Sequence, residues 1–174
     1  MISSQTMAPQ ELLLPAKSGF ILLTLFIALT LNLIPWPNWI NWLLPDFVAL
    51  LVLYWSIEAP RKMSFILAWC LGLMMDIANG SLFGQHALAY VILVYAGITV
   101  HRRIQNFQIP AQLLHIAPLL LLTNCVVLLV RALADASYPG YSYFLSTLVG
   151  VALWPVIGFI LKIPQRPRSD PSRA

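Results

Sequence analysis

The sequence predicts an all-α, polytopic membrane protein with six transmembrane helices. Three observations lead there. Of 174 residues, 60% are hydrophobic and only 9% charged, where a soluble domain carries about a quarter. The mean hydropathy is +0.81. Nearly the whole chain falls into apolar runs approaching the roughly 20 residues that a hydrocarbon core requires. Ten Lys and Arg with six Asp and Glu cannot cover a water-soluble surface, so a globular cytosolic enzyme is excluded. The net charge of +4 is then a matter of membrane orientation, not a nucleic-acid footprint.

Charges and Pro, Gly and Asn clusters divide the chain. The first span runs from about Gly19 to Ile34 and stops at Pro35-Trp36-Pro37-Asn38, which cannot continue a helix. A second runs from about Leu44 to Ala59, with Pro45 in its first turn, where proline is tolerated. The third, Met63 to Ala78, ends at the turn Asn79-Gly80-Ser81. Leu82 to Val100, Gln112 to Ala134 and Tyr143 to Lys162 follow, separated by Pro110 and by Ser137-Tyr138-Pro139-Gly140. Spans of about 16 residues make roughly 24 Å of helix, short of a 30 Å core. They call for shielding by the bundle or extension by interfacial turns. The domain plan is therefore an N-terminal cytoplasmic segment (1–16), a six-helix membrane domain (17–162) and a disordered basic cytoplasmic tail (163–174).

Lys17, Arg61, Lys62, Arg102, Arg103, Lys162, Arg166, Arg168 and Arg173 lie at one set of span ends, and Arg131 alone near the other. This asymmetry puts both termini in the cytoplasm, as an even number of spans also requires. Trp36, Trp39 and Trp42 then belong to the outer interface, and Tyr54 and Trp55 to the inner one. The first run is too long for a usual signal-peptide core and no small-residue cleavage site follows, so it reads as an uncleaved span. Basic residues of the tail are placed to meet anionic lipid, but an ordinary positive-inside flank is the preferred reading. Cys70 and Cys125 fall within apolar runs and read as buried free thiols, neither a disulfide nor a metal site.

Candidate chemical groups are few. His86, His101 and His115 form no HxxxH or HExxH pair, and there is no Gly-x-Ser-x-Gly, P-loop or dinucleotide fingerprint. No catalytic residue, metal or cofactor is expected. The densest signal is Gly72-x-x-x-Asp76-x-x-x-Gly80-x-x-x-Gly84, across the turn joining spans three and four. A spacing of four puts Gly72 and Asp76 on one helix face, and Gly84 offers a second close-approach point on the returning helix. A carboxylate at a helix C-terminus meets the negative end of the macrodipole. It therefore needs another partner: Arg131 at similar depth, or the N–H groups of the Asn79–Ser81 turn. The ion pair with Arg131 is the favoured expectation, ahead of a ligand- or ion-binding carboxylate. Asp135, one turn from Arg131, competes for the guanidinium in the weaker Arg-before-Asp order.

On the sixth span Ser146, Gly150, Trp154 and Gly158 recur every four residues, with Pro155 interrupting the backbone ladder. Small residues admit a close neighbour and the proline opens a kink. Packing within the bundle is the default, and docking of a partner's single membrane helix the sharper alternative. Asn32 and Asn124 read as interhelical hydrogen-bond groups.

Four stretches together resemble the rod-shape-determining protein MreD family of Gram-negative bacteria. They are Ile34-Pro-Trp-Pro-Asn with Leu44-Pro-Asp; Leu53-Tyr-Trp-Ser-Ile-Glu-Ala-Pro-Arg; Gly72-Leu-Met-Met-Asp-Ile-Ala-Asn-Gly-Ser-Leu-Phe-Gly; and Leu153-Trp-Pro. The third is the most specific. The likeness spans about residues 18–165, with only hydropathy in common between about Gln105 and Ser142. It implies a non-enzymatic inner-membrane scaffold of the cell-elongation machinery, partnered by the bitopic protein MreC. Through MreC it links actin-like MreB filaments to peptidoglycan synthases. The family in turn is similar to the substrate-binding components of energy-coupling-factor transporters, also small six-helix proteins. That keeps an alternative open, a transporter component binding a vitamin or metal, for which Asp76 with His86 is a thin beginning.

Overall fold

The structure is a computed structural model and describes residues 15–37, 40, 43–134 and 144–165. Among these, six α-helices follow one another with no strand: α1 Ser18–Leu33, α2 Phe47–Glu58, α3 Phe65–Ala78, α4 Gln85–Gln105, α5 Ile109–Leu133 and α6 Leu145–Lys162, the last running into a 3-10 turn, Ile163–Gln165. Three helical stretches are long and apolar enough to cross a membrane: α4, α5 and α6 continued through its 3-10 turn. The other three have 16, 12 and 14 residues.

α2 is the axis of the bundle. Ten consecutive residues, Val48–Ile57, are buried, because α1, α4, α5 and α6 all pack around it. A helix apolar on every face has no preferred side and is stable only when surrounded. Its 12 residues span about 18 Å, and the neighbours enclose this short helix. Tyr54 and Trp55, expected at a lipid interface, are instead core residues, 2% and 0% exposed. They stack edge to face at 5.0 Å, and Trp55 donates its indole N–H to Thr24 Oγ1 on α1 at 2.9 Å.

α1 shows how an inward face is selected when both faces are apolar. Ile21, Thr24, Leu25, Ala28 and Leu29 are buried, at the i, i+3, i+4, i+7, i+8 spacing of one helix face. Leu22, Leu23, Phe26 and Ile27 point outward. The packed side carries Thr24 and Ala28 among aliphatic residues, and the outer side named here carries only bulky apolar ones. The same logic corrects the cysteines: Cys70 and Cys125 are exposed on the outside of the bundle, since an apolar sequence is compatible with a lipid-facing position.

Two proline expectations also change. Pro45 precedes the N-cap of α2, Asp46, and is not in its first turn. Pro110, read as a break, lies in the first turn of α5, where its missing N–H has no intrahelical partner to lose. α4 runs on to Gln105, carrying Arg102 and Arg103 in its last turn, where basic side chains complement the helix dipole.

Contacts tie the basic residues' helix ends together. Lys62 donates to Ala16 O, Gln105 to Ile57 O, and Lys162 pairs with Glu58 at 3.2 Å. The start of α1, the α2–α3 connection and the ends of α4 and α6 therefore share one end of the bundle, here the basic end. Of the segments flanking the helices, Trp39, Trp42 and residues 166–174 lie outside the described residues, as does Asp135.

Candidate functional site: a hydrogen-bonded carboxylate girdle

At the opposite end two carboxylates organise the helix termini. Asp76, in the last turn of α3, is fully buried. Its Oδ1 accepts from the His86 backbone N–H (3.1 Å), from His86 Nδ1 (2.7 Å) and from Ser81 Oγ (3.2 Å), while Oδ2 accepts from the Gly84 N–H at 2.8 Å. The side chain thus does for α4 what an N-cap residue does, satisfying orphan donors of its first turn. The N-cap itself, Gly84, has no side chain to do so. The dipole problem resolves in the same way: the C-terminus of α3 disfavours the charge and the N-terminus of α4 favours it.

The expected Asp76–Arg131 ion pair is not formed. Arg131 Nε donates to Gln85 Oε1 at 3.1 Å, so the arginine secures the first residue of α4 and leaves the carboxylate to that helix's N-terminus. Gln85 is fully buried, and its amide nitrogen lies 3.3 Å from His86 Nδ1. Arg131, Gln85, His86 and Asp76 form a chain of contacts across α5, α4 and α3.

The glycines of the motif separate into two roles. A Cβ on Gly72 would stand 2.3 Å from Ala87 Cα, so α3 and α4 touch backbone to backbone there. Gly80 and Gly84 have φ of +56° and +98° with open space around them. Gly84 is a left-handed turn residue, not the close-approach point expected of it, because Ala87 takes that place.

The second carboxylate, Asp46, caps α2 by accepting from the Ala49 N–H at 3.0 Å. Its Oδ1 also accepts from Asn32 Nδ2 (2.9 Å) and its Oδ2 from the Tyr90 hydroxyl (2.6 Å). Asn32 Oδ1 in turn accepts from the Phe47 N–H. The rings of Tyr90 and His86 lie 6.0 Å apart, which brings the two carboxylate clusters together. Sequence reasoning singled out Asp76 and anticipated Asn32 as an interhelical link. It missed the hub role of Asp46, whose signal was its place one residue before an apolar run, where an N-cap belongs.

The small-residue face of α6 is used inside the bundle. Gly150 is buried, and a Cβ there would meet Pro45, Leu120 and Leu50 at 3.4–3.6 Å. Gly158 faces Tyr54, and Trp154, 5% exposed, lies 5.8 Å from the Tyr54 ring. Ser146 lines a small cavity with Asp46, Asn124 and Thr147, and Asn124 donates to Thr147 at 2.6 Å. Pro155 is half-buried within the unbroken helix. Packing, not docking of a partner helix, accounts for Gly150, Trp154 and Gly158.

Among the described residues no three His, Cys, Asp or Glu groups converge as metal ligands. His101 and His115 each donate to a carbonyl of their own helix. The carboxylates of the girdle are already occupied by protein donors, an arrangement that fixes helix ends.

The family model for the rod shape-determining protein MreD matches residues 17–165. A curated relative, the rod shape-determining protein MreD of Haemophilus influenzae, is 27% identical over 144 residues, covering 82% of this chain and 89% of that protein. No solved structure matches the chain. The apolar helices agree with that match: this is an integral membrane protein, and it belongs to the MreD family of rod shape-determining proteins.

Proposed function

We propose that the chain is a scaffold subunit of the cell-elongation machinery in the bacterial inner membrane, with no turnover of its own. All six helices cross the bilayer and both termini are cytoplasmic. It acts with the bitopic protein MreC, and through it couples MreB filaments to the synthases that extend side-wall peptidoglycan. Family membership supports the rod-shape role, and the mutual satisfaction of Asp46 and Asp76 supports a structural one. The basic residues gathered at one end of the bundle, Lys62 and Lys162 among them, support that orientation.

The transporter-like reading, with a fold similar to energy-coupling-factor substrate-binding components, calls for a chamber at the carboxylates. The cavity beside Asp46 measures about 20 Å³, room for one water. Depletion tests the choice. Cells losing the protein become round while division septa still form, and a bitopic partner co-purifies in stoichiometric amount. Depleted cells that keep their rod shape but starve for one nutrient overturn the scaffold reading.

A further inference from the structure

At the basic end a second cavity, of about 200 Å³, is lined by the C-terminal parts of α2, α4 and α6 and the first turn of α5. Its lining is mostly apolar, with a small set of polar side chains among it. Tyr54 lines it, and the Tyr54 hydroxyl is buried with no hydrogen-bond partner, although buried hydroxyls nearly always have one. Glu58 and Lys162 pair at 3.2 Å, with side chains 28% and 40% exposed. Gln105 and Gln112 use their amide N–H groups on the carbonyls of Ile57 and Phe107, at 2.8 and 2.9 Å. Their Oε1 atoms remain as acceptors. Trp154 supplies an aromatic wall.

We infer that this cavity seats the headgroup of a phospholipid bearing a primary ammonium group, phosphatidylethanolamine. The donor–acceptor balance selects that chemistry. Three acceptors, the Glu58 carboxylate and two amide oxygens, suit an ammonium with three N–H donors. Lys162 suits the phosphate one short linker away, and the Tyr54 hydroxyl donates to a glycerol ester carbonyl. The headgroup enters between Glu58 and Lys162 and replaces one ion pair with two. A purely anionic headgroup faces Glu58 with like charge, and a trimethylated ammonium has no N–H for the amide oxygens. The basic end of a membrane helix bundle lies at headgroup depth, so the lipid approaches laterally. Such a seat is independent of the elongation role.

The test uses the full chain in mild detergent, offered equal amounts of phosphatidylethanolamine, phosphatidylcholine and phosphatidylglycerol with matched acyl chains. Native mass spectrometry reads the lipid retained. Phosphatidylethanolamine is retained preferentially; Tyr54→Phe lowers that retention roughly fivefold, the effect of one lost hydrogen bond, and Glu58→Gln, which keeps an acceptor but removes the charge facing the ammonium, lowers it at least as much. Glu58→Gln, at the exposed rim, keeps the test valid if Tyr54→Phe disturbs the core. Equal retention of the three lipids, a preference for phosphatidylglycerol, or unchanged selectivity in the Glu58→Gln protein overturns the assignment. The cavity is then a water pocket or an anionic-lipid contact.

Discussion

Asp76 and His86 are ten residues apart in sequence and 2.7 Å apart in space, and the Asp76 carboxylate accepts from the Gly84 and His86 N–H groups, capping the start of a helix to which it does not belong. Removing it strands buried backbone donors on α4 as well as the imidazole. Asp76→Ala therefore destabilises by about 3 kcal/mol or more. Arg131→Ala removes one charge-assisted hydrogen bond to the buried Gln85 amide, about 2 kcal/mol. Thermal unfolding in detergent separates the two, and the double variant shows added losses with no rescue. Equal single losses with rescue in the double variant would restore the Asp76–Arg131 ion pair.

The partner of Asp76 was hard to read from sequence for a definite reason. The dipole argument considered the helix that carries the residue, whereas the decisive N–H groups belong to the next helix, brought back by Gly80 and Gly84. Span positions were legible because Pro, Gly and Asn clusters and basic residues interrupt the apolar runs. Pro110 misled because proline breaks a helix interior but fits a first turn. Cys70, Cys125, Tyr54 and Trp55 were misplaced because hydropathy does not distinguish lipid from core when both are apolar. Asn32 was legible, since an amide within an apolar helix needs a polar partner on a neighbour.

Two glycine contacts differ in what opposes them. A Cβ at Gly72 meets the backbone of Ala87, whereas one at Gly97 meets the Ser56 Cβ at 2.8 Å. Both Gly→Ala changes overpack a helix crossing, at about 1–3 kcal/mol. Ser56→Gly relieves Gly97→Ala in part, and no trimming at position 87 relieves Gly72→Ala. Melting temperatures of the singles and doubles check this. Rescue of Gly72→Ala by Ala87→Gly contradicts the backbone contact.

The outward thiols make a prediction about solvent. Cys70 and Cys125 are exposed on the bundle and lie mid-helix in α3 and α5, so in membranes they face acyl chains. Maleimides add to thiolates, which do not form among acyl chains, so a charged, membrane-impermeant maleimide modifies neither from either side of intact vesicles, and both react once the protein is unfolded in detergent. Labelling by the charged reagent would place that face in a water-filled interface.

Asp46 offers the sharpest separation of charge from hydrogen bonding. It caps α2 and receives Asn32 and Tyr90, and the cavity beside it is small, about 20 Å³, so its partners cannot readily be replaced by bulk water. Asparagine is as good an N-cap as aspartate. In Asp46→Asn the amide oxygen still accepts from Ala49 and Asn32, and the new NH2 faces Tyr90, whose hydroxyl rotates to accept. The loss stays below about 1 kcal/mol. Asp46→Ala removes the cap and the acceptor that Asn32 and Tyr90 share, about 3 kcal/mol in sum. Unfolding in detergent and the steady-state amount in membranes both follow that order if the carboxylate is a hydrogen-bond hub. If Asp46→Asn is instead as damaging as Asp46→Ala, the negative charge itself is required, and a cation or a basic partner at this end of the bundle becomes the explanation.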